Sequence, residues 1–227
     1  ERSAWVRKVI VERRAAHLAG QKIGDNILDR MILLQEKPGY EWVDDDVIRR
    51  NIGGLLSGIS EGTNKAVIHV LQELFKRPNI LKAAIKAAEK NDSEALLGFV
   101  QEGLRFNPVQ PGVLRFSESL QYVQGGEKRY KIKADRKILS LTSGAMFDPV
   151  SFENPKEFNP NRDARYMNWG FGLHECFGRY INKVSIAELV GAVLRLKNVQ
   201  LSKGALGRGS GLMDGPFPNN YVVTFDA

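Results

Sequence analysis

One cysteine in 227 residues leaves no partner for an internal disulfide, so a small secreted scaffold stapled by disulfides is excluded. The same usage fits a reducing compartment, and a cytoplasmic location is expected, with anchoring through residues upstream of Glu1 left open. Long apolar runs are also missing. The longest uncharged stretch, Gly215 to Phe225, carries two prolines and falls well short of the roughly 20 residues that cross a bilayer. No signal peptide or amphipathic targeting segment opens the chain. Paired-cysteine zinc spacing, a phosphate loop and a Ser-His-Asp order are absent, and His17 and His69 join no metal-like cluster. Acidic residues are outnumbered, giving a net charge of +7. Basic residues gather in Arg2 to Arg14 and are otherwise scattered, without the aromatic interleaving of a nucleic-acid platform. They read either as a solvated surface or as a docking face for an acidic partner.

What is present is enough apolar residue, 43%, for a core of ordinary size in one or two domains. Ser3 to Ala19 has a helical pattern ended by Gly20, and Asp25 to Gln35 a shorter one closed by Pro38-Gly39. Asp44 or Asp45 caps a long helix predicted to run to Arg77, where Pro78 stops it. Pro78 or Asn79 opens the next helix, and Asp92 or Ser93 caps another reaching Phe106. Beyond Pro108 and Pro111 the period changes. Val113 to Phe116, Gln121 to Val123, Lys128 to Ile132 and Ile138 to Leu141 read as short strands. An irregular stretch, Phe147 to Asn168, leads to a last helix over Tyr180 to Leu196 and a final strand within Tyr221 to Phe225. The expected class is mainly α with a minor β-sheet.

The densest chemistry lies in Asn168-Trp169-Gly170-Phe171-Gly172-Leu173-His174-Glu175-Cys176-Phe177-Gly178. Glycines let a loop reach positive φ and approach a flat group closely. The helix that follows places Cys176 where orphan amides and the dipole favour a thiolate. This window resembles the haem-binding signature of the cytochrome P-450 family, Phe-Gly-x-Gly-x-His/Arg-x-Cys-x-Gly. Gly170, Gly172, His174, Cys176 and Gly178 stand in place, and Trp169 replaces the phenylalanine. The resemblance implies that Cys176 ligates the iron of haem b, with Trp169 and the three glycines in the cofactor loop.

Further residues extend it. Glu102 and Arg105, three apart on one helix face, resemble the family's Glu-x-x-Arg pair, which is structural. Arg115 falls on a haem-propionate arginine and His174 on a second propionate partner, a role favoured for each over a solvated side chain because two haem carboxylates need cationic or donor partners. Asp148-Pro149, Phe152, Pro155, Phe158, Pro160 and Arg162 resemble the segment before the cysteine loop, with Phe147 where arginine is expected. Gly54, Gly58 and Gly62 form a stripe every four residues that would admit a planar macrocycle, or mark a loop between two shorter helices. Glu61 matches the acid of the family's proton relay. The hydroxyl residue expected next is Gly62, and Thr63 follows; it could serve only in a locally distorted helix. Val109, Val113 and Leu114 are expected to border an apolar small-molecule substrate.

The resemblance covers essentially the whole chain, which corresponds to the last half or slightly more of a family member, a C-terminal portion of a single haem domain. It implies a haem-thiolate monooxygenase using dioxygen and electrons from a ferredoxin or flavoprotein reductase, with the N-terminal half of the same protein as structural partner. A peroxygenase or fatty-acid hydroperoxide isomerase, needing no reductase, is the alternative that Gly62 suggests. A non-catalytic haem-binding module is the third.

Overall fold

Two aspartates set helix starts at the positions their spacing predicts. Asp44 accepts the Val47 amide at 2.7 Å and Asp92 the Ala95 amide at 3.0 Å. Each satisfies an amide that has no partner within its helix. The computed structural model describes residues 2–22, 24–202, 213–214, 217–218 and 221–227. Its helices are α1 (Arg2–Leu18), α2 (Ile27–Leu34), α3 (Asp45–Ser57), α4 (Thr63–Phe75), α5 (Pro78–Glu89), α6 (Ser93–Phe106), α7 (Thr142–Ala145) and α8 (Arg179–Leu194). Among the described residues, none is long and apolar enough to cross a membrane.

The chain divides into two compact units, residues 1–62 and 63–227. In the first, α1, α2 and α3 bury Val6, Ile10, Ile32, Val43 and Ile48. Asp29 is buried and accepts Arg13 Nε at 2.8 Å. That hydrogen bond, more than any other influence, holds its carboxyl below the ordinary carboxylate range. The long helix expected from Asp44 to Arg77 is not a continuous α-helix. α3 ends at Ser57 and is followed by a π turn over Gly58–Gly62. Gly58 and Gly62 at its two ends bring no side chains to pack it and lose the most backbone freedom on becoming helical. A local change of hydrogen-bond register is the outcome.

The second unit packs α4, α5, α6 and α8 around Val70, Leu74, Ala84, Ala88, Leu96, Val100, Ile186, Val190 and Leu194. Gly103 lets α6 approach α4, since a Cβ there would lie 3.1 Å from Val70 Cα. Gly98 lies against the Pro160 carbonyl, whose carbon would be 3.1 Å from an added Cβ. The β structure forms separate two-stranded ribbons rather than one sheet. β1 (Val113–Ser117) pairs antiparallel with β4 (Arg136–Ser140), and β2 (Gln121–Gly125) with β3 (Lys128–Ile132). β5 (Gln200–Leu201) pairs with β8 (Val223–Thr224), and β6 (Met213–Asp214) with β7 (Phe217–Pro218).

The irregular stretch after α7 is held to α6 by two fully buried side chains, Glu102 and Arg105. Arg105 donates from Nε and Nη2 to Glu102 at 2.8 Å each, and to the carbonyls of Met146 (3.1 Å), Pro155 (2.7 Å) and Glu157 (2.9 Å). Glu102 also accepts the Asn159 amide at 2.9 Å, Tyr166 Oη at 2.8 Å and Arg162 Nε at 3.3 Å. Phe147, standing where arginine was expected, lies 4.9 Å from the Arg105 guanidinium carbon. An aromatic face thus replaces a cation beside a buried cation.

Burial alone would raise the Glu102 carboxyl. Arg105, the Asn159 amide and the Tyr166 hydroxyl together hold it below its ordinary value. Because the folded value is depressed, the stability it contributes is present above the unfolded carboxylate value and is lost as pH falls through the folded one. Glu102→Gln should lower unfolding free energy by about 3–5 kcal/mol near pH 7, since it strands a buried guanidinium. Urea unfolding should show the gap to wild type narrowing below about pH 4; an unchanged gap would remove the carboxylate from this role. Gly98→Ala should cost about 1–3 kcal/mol by driving a methyl into the Pro160 carbonyl, read as a lower thermal midpoint.

Candidate functional site

The cysteine loop is built from its glycines. Gly170 and Gly172 sit at φ +74° and +71°, the left-handed region that a Cβ penalises. They fold Trp169 to Cys176 back on itself, so that the Cys176 amide donates to the Trp169 carbonyl at 2.8 Å. A short 3₁₀ turn over Gly172–His174 fills the bend. The Arg179 amide donates to the Cys176 carbonyl at 3.2 Å and the Asn182 amide to Gly178 at 2.8 Å. Cys176 therefore stands two residues before Gly178, the cap of α8.

The thiol is exposed, and so is the apolar surface around it. Leu173 is 96% and Phe177 79% exposed, with Phe171, Tyr180 and Ile181 also uncovered. So much large apolar surface beside one thiol calls for a group to cover it. A large flat group such as a porphyrin would cover it. Among the described residues no group of three or more His, Cys, Asp or Glu side chains could hold a metal ion.

The loop is anchored from below. Asn168 Nδ2 donates to the Gln101 carbonyl of α6 at 3.0 Å, and Tyr166 ties the preceding residues to Glu102. A cavity of about 380 Å³ adjoins this anchor, lined by Gln101, Tyr166, Trp169, Phe171, Arg179 and Lys183 among others. Its rim is cationic, with the Arg165 guanidinium 4.2 Å from the Phe171 ring centre and Lys183 Nζ 5.8 Å from that of Trp169.

Of the residues singled out from sequence, Trp169, Gly170, Gly172, His174, Cys176 and Gly178 form this one loop, and His174 is exposed on it. Glu102 and Arg105 support it through the preceding segment. Arg115 and Leu114 are exposed on β1, while Val113 and Val109 are half-buried. Gly58, Glu61 and Gly62 lie in the π turn of the first unit. A Cβ built on Gly54, Gly58 or Gly62 meets no neighbouring atom, so packing does not require these glycines. Thr63 heads α4, is buried, and donates its hydroxyl to Asn182 Oδ1 at 3.2 Å. Asn182 was invisible to sequence reasoning, because a polar residue in a first helical turn is ordinary. Tyr166 carried a weaker signal, an aromatic among prolines and arginines.

A family model described as cytochrome P-450 matches residues 1–205. A bifunctional dioxygenase–epoxy alcohol synthase from Fusarium oxysporum is 32% identical over 65% of this chain and 11% of its own length. The pulcherriminic acid synthase of Bacillus subtilis is 25% identical over 99% of this chain and 54% of its own. The crystal structure of cytochrome P-450 MoxA from Nonomuraea recticatena matches 99% of this chain and 53% of its own, with a TM-score of 0.78 and 21% identity. The matches thus span about half the length of the last two proteins and about a tenth of the first. With the family match running over almost all of the sequence and enclosing the cysteine loop, the chain belongs to the cytochrome P-450 family.

Proposed function

We propose that this chain is the iron-binding C-terminal portion of a haem-thiolate oxidoreductase acting on an apolar small molecule. One observation carries the reading: the exposed Cys176 thiol at the head of α8, in a glycine loop ringed by uncovered apolar side chains. Haem b, bound there, supplies the electron-transfer and oxygen chemistry that side chains lack. The protein's residues do the rest. Cys176, two residues before the Gly178 cap of α8, supplies the thiol that would ligate the iron. Trp169, Gly170, Gly172 and Gly178 give the loop a flat surface, and Gly58 and Gly62 offer a helix side without Cβ atoms. His174 and the Arg115 guanidinium hold the two propionates. Val109, Val113 and Leu114 exclude water and orient an apolar substrate. The Glu61 carboxylate, with Thr63 Oγ1, holds the proton needed when dioxygen is the oxidant. The N-terminal half of the same protein completes the pocket.

Monooxygenation is the first reading, with electrons from a ferredoxin or flavoprotein reductase. On the rim Arg179 is paired with Glu175, and the remaining cations, Arg165 and Lys183, would steer an acidic partner toward the cysteine loop. Peroxygenase or fatty-acid hydroperoxide isomerase activity is the second. Two observations favour it: Gly62 carries no hydroxyl, and the Thr63 hydroxyl donates to Asn182. Such chemistry needs no dioxygen proton relay. The resemblance to a dioxygenase–epoxy alcohol synthase points the same way.

Haem-loaded, reduced protein should show the strongly red-shifted Soret band of thiolate ligation under carbon monoxide, and Cys176→Ser should abolish it. A histidine-type spectrum in wild type would overturn the assignment of Cys176. Turnover of an organic hydroperoxide without reductant would establish the second reaction. Turnover that requires both reductase and dioxygen would establish the first. Haem uptake with no turnover of any oxidant would leave a binding module.

A further inference from the structure

Between α6 and β1 the chain runs Asn107-Pro108-Val109-Gln110-Pro111-Gly112, a segment that is neither helix nor strand. Its two prolines have no backbone N–H, so the partners of its carbonyls decide where it lies. The Pro111 carbonyl is gripped from α7: it accepts the Ser143 amide at 3.0 Å, Ser143 Oγ at 2.9 Å and Thr142 Oγ1 at 3.3 Å. Gly112 lies at the same end, where an added Cβ would be 2.7 Å from the Ser140 carbonyl oxygen. The other end is held by α4. His69 Nδ1 lies 2.9 Å from the Asn107 carbonyl oxygen, and Asn107 Nδ2 donates to Gln72 Oε1 at 2.9 Å. His69 and Gln72 are three apart and share a helix face.

His69 is only 3% exposed. Burial is the largest influence on its imidazole and pushes it below the ordinary value, against the pull of the Asn107 and Pro108 backbone and of Glu73. Near neutral pH the ring is therefore uncharged, with one N–H. A carbonyl only accepts, so that proton sits on Nδ1 and is donated to Asn107. Breaking a buried pair of this kind strands an acceptor away from water. The consequence reaches β1. Val113 is half-buried and Leu114 is exposed, both just beyond the held segment. Their distance from α4 follows from where Asn107 and Pro111 are fastened.

We propose that His69 is a positioning residue: it fastens the segment 107–112 to α4 and so sets how large an apolar group fits between α4 and the Val113–Leu114 edge. This rests on the reading of those two side chains as a border of the apolar substrate. His69 acts through Asn107 rather than by touching substrate or cofactor. Removing its donor releases the Asn107 end while the Pro111 end stays held by α7, which alters the width of the space and not the cysteine loop.

Two measurements on the protein comprising this chain and its N-terminal half test the assignment. His69→Leu and His69→Phe remove the donor, while His69→Asn keeps an amide nitrogen near the place of Nδ1. Hydrogen exchange over residues 107–114, read by mass spectrometry on the protein as purified, should be about tenfold faster in the first two variants and near wild type in the third. Exchange across α8 should not change. In the haem-loaded protein, imidazole and phenylimidazole each shift the Soret band on binding iron, and only the second carries a ring that needs the space beside α4. His69→Leu should change the affinity ratio of the two probes by about tenfold, and His69→Asn should restore it. Unchanged exchange over 107–114, or faster exchange throughout the second unit, would overturn the proposal. So would a probe ratio that stays at its wild-type value. If only His69→Asn folds, His69 is a core residue and the proposal fails as well. No Soret response to imidazole in wild type would instead refute the haem assignment, and the exchange comparison would still decide the role of His69.

Discussion

The buried pair between Glu102 and Arg105 is the interaction on which the rest of the second unit depends. Arg105 has five N–H donors, and each finds an acceptor: two on Glu102 and one each on the carbonyls of Met146, Pro155 and Glu157. Glu102 in turn accepts from Asn159, Arg162 and Tyr166. A buried ion pair stabilises little when its remaining hydrogen-bonding capacity is unmet. Here that capacity is filled by the backbone of a segment with little regular structure of its own. The pair supplies the long irregular stretch with the partners that a helix or sheet would otherwise provide.

From that stretch the connection continues to the cysteine loop. Tyr166 and Asn168 fasten its start to α6, the positive-φ glycines turn it back, and α8 receives it at Gly178. The thiol is placed by backbone bonds on either side of it, from the Cys176 amide to the Trp169 carbonyl and from the Arg179 amide to the Cys176 carbonyl. The apolar side chains around it remain uncovered, which sets Cys176 apart from a cysteine buried in a core.

The loop and its motif were legible in sequence because they depend on local rules. Gly170 and Gly172 suit a turn of that sign, and a cap at Asp44 or Asp45 and at Asp92 or Ser93 followed from their place before apolar periodicity, the structure using Asp44 and Asp92. The π turn over Gly58–Gly62 was not legible. Spacing alone gave a smooth stripe, and a change from i−4 to i−5 bonding leaves no mark on residue type. The role of Phe147 was also hidden. A missing arginine reads as a lost anchor until the ring is found beside the Arg105 guanidinium.

By itself the sequence determined the helical class, the strand segments, the helix caps and the identity of the one thiol that can act as a ligand. These follow from interactions within a few residues along the chain, where φ preference, capping and periodicity operate. Tertiary structure alone decided which remote groups meet. It turned a surface-like i,i+3 pair into a fully buried node and bound the Thr63 hydroxyl to Asn182. It also resolved the expected sheet into separate ribbons. Burial and partner choice depend on contacts between distant segments, and residue type fixes what a side chain can bond but not what the fold brings within its reach.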